Sequence, residues 1–105
     1  MKPTTKAVTQ LIRQAINQVD DKAEVILYGS RARGDETEDS DWDILVLTDE
    51  SLDLAKTRDF RYPLYDLALE LNEQFSVFVH SKNEWNTRQR VTPIYESVKQ
   101  EGISL

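Results

Sequence analysis

Between Gly29 and Asp43 the chain reads GSRARGDETEDSDWD, with two glycines, a serine and two arginines leading into six carboxylates. Each type has a chemical use at this spacing. Glycine lets the backbone approach a ligand closely and adopt a positive φ. A serine opening a helical turn offers a hydroxyl and backbone N–H groups, a cradle for a phosphate. Arg31 and Arg33 can either add charge-assisted bonds to phosphate oxygens or pair with the acidic loop that follows. Gly34 frees the chain to turn into that loop. Asp41 and Asp43, two apart at the start of a strand, fall on one face, about 6–7 Å from each other. There they can share or bracket divalent ions. Mg²⁺, with Mn²⁺ as an alternative, takes a few carboxylates, waters and substrate phosphate oxygens. Two such ions can activate a nucleophile and stabilise a leaving pyrophosphate. Trp42 and Ile44 then face the core. The stretch reads as a site for a metal-bound phosphate, while Asp35, Glu36, Glu38 and Asp39 read as a solvated loop.

Two other motifs fail on details. Gly29 to Gly34 has the glycine spacing of a P-loop, but Asp35 stands where lysine is required. Asp39, Asp41 and Asp43 resemble the start of an EF-hand loop, but Ile44 stands where that loop needs glycine.

The totals narrow the options. The 105 residues suit one domain, 1–105, with a small core from 39% hydrophobic residues. The net charge is −6, from 19 acids and 13 bases. The six acids of residues 35–43 account for all of it, since 19 − 6 = 13. Such a concentration repels a nucleic-acid backbone and attracts divalent cations, so direct DNA or RNA binding is not expected. There is no cysteine, which excludes disulfides, thiolate catalysis and zinc–thiolate sites. The longest apolar runs, VILY (25–28) and ILVL (44–47), fall far short of the roughly 18 residues of a membrane span. No apolar signal core precedes them in MKPTTKAVTQ. No membrane role and a cytoplasmic setting are expected.

The elements that must position the motif follow from periodicity. Residues 5–19 repeat Val8, Leu11, Ile12, Ala15, Ile16 and Val19 as the apolar face of a helix. Asp20-Asp21-Lys22 is a turn. AEVILYG and WDILVLT are buried strands without clean alternation, so helices should cover the sheet. Ser30–Gly34 opens a short helix between them. Pro63 should break the apolar stretch 52–74, leaving a loop or short helix before it and a good helix after it, with Leu64, Leu67, Ala68 and Leu71 inward. FSVFV (75–79) is a third strand, and KNEW begins a short helix or loop. Thr92 and Pro93 open a final helix that presents Ile94, Tyr95 and Val98 and stops at Gly102. ISL is a tail. The order predicts an α/β (α+β) fold, a small central mixed β-sheet packed with helices.

GSRARGDETEDSDWDILV resembles the signature of the minimal nucleotidyltransferases of the DNA polymerase β superfamily: Gly-Ser, a spacer, then Asp-x-Asp on the next strand. Here these are Gly29-Ser30, residues 31–40, and Asp41 with Asp43. The resemblance is close over residues 25–47 and looser elsewhere. It implies the nucleotidyltransferase fold and transfer of a nucleoside monophosphate, AMP from ATP above all, to a hydroxyl. It also implies that Gly29 and Ser30 contact the triphosphate and that Asp41 and Asp43 are catalytic and bind Mg²⁺. Many small members are antitoxins beside a HEPN-type ribonuclease toxin, modifying a toxin tyrosine or masking the toxin by binding. The family usually has a third carboxylate on the strand after the middle helix. In this chain Ser76 falls there, with Glu73, Glu70 and Asp66 the nearest acids.

Two further readings stay open. One is a nucleotide-binding module, weak or inactive as an enzyme, that neutralises a partner by contact. The other is modification of a small molecule, for which the chain has little room. His80 reads as a strand-end residue. Trp85, Tyr95 and Ile94 read as packing under the final helix, and Trp42 as core. Tyr62 and Tyr65 merely flank Pro63.

Overall fold

A computed structural model of the protein describes residues 4–105. The expectation about a signal core lies partly outside them. The elements run α1 (Thr5–Val19), β1 (Glu24–Tyr28), α2 (Ser30–Arg33), β2 (Trp42–Thr48), α3 (Leu54–Leu71), β3 (Phe75–Ser81) and α4 (Lys82–Thr87). A 3-10 turn (Arg88–Val91), α5 (Pro93–Glu101) and β4 (Ile103–Ser104) complete the chain. The sheet is mixed, in the order β3-β2-β1-β4. β1 is antiparallel to β2 and β4, whereas β2 and β3 are parallel. The expected fold class stands.

The helices start where side chains can accept their free amides. Thr4 caps α1 by accepting from the Ala7 N–H, Asp53 caps α3 from Lys56, and Thr92 caps α5 from Tyr95. Pro93 follows at the first helical position, where its missing N–H costs nothing.

Two expectations are corrected. Pro63 does not break the helix, since α3 runs unbroken through it. Buried anchors stand on both sides: Phe60 before the proline, Leu64 and Ala68 after it, at i, i+4 and i+8. Seating that stripe outweighs one lost hydrogen bond, and the carbonyl that loses its donor belongs to exposed Asp59. Leu67 and Leu71 are only partly buried beside it. The second correction is the ISL tail. Ile103 and Ser104 pair with Leu27 and Ile26, and the Leu105 N–H donates to the Val25 carbonyl. The tail is a fourth strand that closes one edge of the sheet, drawn in by the unpaired backbone of β1.

The period-2 alternation of the strands sorts the core into two layers. Toward α1 and α3 lie Val25, Leu27, Trp42, Ile44, Val46, Val77 and Val79, packed on Val8, Ile12, Ile16, Phe60 and Leu64. Toward α4 and α5 lie Tyr28, Leu45 and Leu47, with Trp85 and Val98, and with Ile94 and Tyr95 alongside. Trp42 is core and Trp85 packs under the final helix, as the sequence suggests. His80 sits at the end of β3, near Trp85 and Glu84.

Candidate active site

One end of the sheet gathers the chemistry: the end of β1 and the starts of β2, β3 and β4. β1 delivers Tyr28 into Gly29, whose φ is 76°. A side chain there is excluded twice, by the backbone angle and by the Asp43 Oδ2, which lies 2.1 Å from where a Cβ would stand. Ser30 then begins α2, which has no side-chain cap and whose Ala32 and Arg33 amides donate to the Gly29 carbonyl. Gly34 ends it in the left-handed region, φ 85°, donating to the Ser30 carbonyl.

The two arginines part ways. Arg33 reaches toward solvent, donating to Asp35 at 3.1 Å and, through Nη1, to both oxygens of Glu101 at 3.1 and 2.9 Å. Arg31 turns inward. Its guanidinium lies over the Trp42 ring at 4.4 Å, donates to the Ser40 carbonyl at 3.0 Å and pairs with Glu73 at 3.8 Å. Both arginines pair with carboxylates, Arg33 with Asp35 of the acidic loop and with Glu101, and Arg31 with Glu73 beyond that loop. Arg31 ties α2 to the acidic loop and to the end of α3.

Asp43 lies opposite Tyr28 in the antiparallel ladder and opposite Ser76 in the parallel one. Asp41 precedes β2 and is exposed, whereas Asp43 is half-buried. Burial pushes the Asp43 carboxyl above its usual range, and the Asp41 charge pushes it further, against the pull of Arg33. Tyr28 is pushed up to about 12, first by burial and then by Asp43, which keeps it a neutral phenol. A half-buried carboxylate crowded by an exposed one suits a cation, which would relieve both burdens on Asp43 at once.

The register sets Ser76 beside Asp43, and none of the nearby acids fills its place. Glu73 lines a groove of about 550 Å³ with Asp41, Tyr65, Leu69 and Ser76, but Arg31 engages its carboxylate. Asp66 and Glu70 line a different groove against α1. Among the described residues no set of three or more acidic, histidine or cysteine side chains is arranged to hold a metal. The donor set is a carboxylate pair, which fits an ion that takes its remaining ligands from water and phosphate.

Glu101 is the residue that sequence reasoning missed. From the end of α5 its Oε1 accepts from the Gly29 N–H at 3.0 Å. It comes close because β4, which follows it, starts beside the end of β1. The one local hint is its position: the last turn of a helix disfavours an anion.

The nucleotidyltransferase domain family model matches residues 10–99. No curated protein matches. Several solved structures share the fold. One is a chain from the complex of a tri-AMPylated Shewanella oneidensis HEPN toxin with MNT antitoxin. It is 19% identical, at TM-score 0.64, over 96% of this chain and 71% of that one. A second belongs to a toxin–antitoxin structure with AMP-PNP, 21% identical, TM-score 0.62, over 97% and 72%. A third belongs to a mutant of the toxin–antitoxin MntA-HpeT, 24% identical, TM-score 0.60, over 99% and 72%. At these identities the likeness is one of fold.

Proposed function

Because the chain belongs to the nucleotidyltransferase domain family, we propose that it moves AMP from ATP to a hydroxyl of a partner protein. Residues 1–105 act as one domain in a cytoplasmic setting. The partner is a HEPN-type toxin and the chain its antitoxin, a reading supported by the HEPN–MNT complex that shares its fold. No helix among the described residues is long and apolar enough to cross a membrane.

The observation that supports the reading is the close approach of the Asp43 carboxylate to Gly29, which sets the glycine turn directly against that acid. Gly29, Ser30 and Arg33 hold the phosphates. Arg31 keeps α2 and Trp42 in place beneath them. Asp41 and Asp43 hold Mg²⁺, or Mn²⁺, which supplies charge neutralisation of the triphosphate and of the leaving pyrophosphate. The acceptor oxygen attacks the α-phosphorus in line, the bond to the bridging oxygen breaks, and the hydroxyl proton passes to water. The protein contributes positioning and fixed charge. The groove bounded by Asp41, Tyr65, Leu69 and Ser76 is the side from which an acceptor enters.

Ser76 favours a second reading, a binding module that masks the partner without turnover. ATP labelled at the α-phosphate separates the two. It is incubated with Mg²⁺, purified protein and lysate, beside the Asp41→Asn/Asp43→Asn variant. A labelled protein band with wild type alone is the expected result. Neutralisation of the partner that survives the double change, without label, leaves only the masking role.

A further inference from the structure

Glu101 is bound by the groups that the phosphate reading needs. Its carboxylate takes three hydrogen bonds: one from the Gly29 amide at 3.0 Å and two from the Arg33 Nη1 at 3.1 and 2.9 Å. Its side chain is only 21% exposed, so the geometry is held rather than incidental. A planar oxyanion on a glycine-turn amide and a guanidinium makes the contacts that two oxygens of a phosphate would make. Those donors cannot serve both anions at full strength, and the two negative charges repel at that range.

On the basis of that phosphate reading, we infer that Glu101 is an internal competitor for the triphosphate, a residue that sets nucleotide affinity from inside the site. Phosphate binding requires its side chain to swing away from Gly29 and Arg33. The movement is a rotation of the Glu101 side chain at the last residue of α5, with the backbone held by Gly102 and β4. Arg33 also donates through Nε to Asp35 at 3.1 Å, a contact that does not depend on Glu101. The apparent affinity for any ligand that uses these donors is lowered by the share of time Glu101 holds them. Adenosine, which has no phosphate, does not feel the competition.

Titration calorimetry with Mg²⁺–ATP and with adenosine tests this on the full chain, as wild type, Glu101→Ala and Glu101→Gln, with circular dichroism to confirm folding. Glu101→Ala is expected to bind Mg²⁺–ATP about tenfold more tightly, the scale of one charge-assisted hydrogen bond. Glu101→Gln, which keeps the shape and loses the charge, falls between it and wild type, and adenosine binding stays level. Glu101 as a mere staple between α5 and the glycine turn gives the opposite result. Folded variants that bind Mg²⁺–ATP no better than wild type overturn the inference and leave the phosphate site standing. If Glu101→Ala fails to fold, Glu101→Gln decides by the same criterion. A wild type and variants that are folded yet bind no Mg²⁺–ATP overturn the phosphate reading, and this inference with it.

Discussion

The two faces of the sheet are built to different rules. Among the described residues, the face toward α1 and α3 carries thirteen buried hydrophobic residues in one cluster, and the face toward α4 and α5 carries five. The thin face is the one that tolerates unlike neighbours. Tyr28, Asp43 and Ser76 share a row across three strands there, with Glu101 reaching in from α5. Trp42 and Asp43 are adjacent in sequence yet meet opposite surroundings, one sealed in apolar packing and the other half-exposed. A fold of this size can concentrate its stability on one face, which leaves the other free to hold charges that cost energy. The cost is visible in the raised pKa of Asp43.

That division can be broken from either side. The largest expected effect is on chemistry. Asp41→Asn with Asp43→Asn should lower transfer by about a thousandfold or more, while the thermal midpoint holds or rises. A marked fall in stability would mean that these acids serve the fold. Next is Leu64→Ala on the thick face, expected to cost about 2–5 kcal/mol in denaturant unfolding, with activity per folded molecule retained. Gly29→Ala joins the two faces' concerns. Its positive φ and its contact with Asp43 should cost about 1–3 kcal/mol and also abolish transfer, since Asp43 must move. A variant that unfolds normally but is inactive would confine the effect to the site.

Smaller effects sharpen the contrast. Ser76→Asp places a third carboxylate beside Asp43. It should lower stability by about 1 kcal/mol without divalent cations and recover it when Mg²⁺ is added, as read by melting with and without the ion. No dependence on Mg²⁺ would show that this row does not bind the cation. The smallest effect is a slope with pH. Asp43 keeps its proton to higher pH when folded than when unfolded, where the ordinary value is 3.8. Stability in the absence of divalent cations should therefore fall as pH rises from 3.8 through the folded value, and level off above it. Comparison of Asp43→Asn with wild type across that window checks it, because the variant lacks this contribution.

Much of the molecule was legible in its letters. The helix at 5–19 and the strand WDILVLT have the limits that periodicity gave them, because burial on one stripe or in one run is a local pattern. Gly29, Ser30, Asp41 and Asp43 stood out because glycine-serine after a buried strand and two acids two apart are short-range patterns, although Asp41 lies just before β2 and not on it. Pro63 misled, since local propensity favours a break and the seating of Phe60, Leu64 and Ala68 prevails over it. The ISL segment was too short to announce itself as a strand, and only the open edge of β1 made it one.

Composition and spacing alone determined the class of fold and the acids and glycines of the candidate site, since both rest on short-range chain geometry. Tertiary structure alone decided that Arg31 packs on Trp42 while Arg33 meets Glu101, and that Ser76 lies beside Asp43. Those facts depend on strand register and on the return of the chain after α5. Register and return are set by how whole elements bury their faces against one another, which no short window of sequence contains.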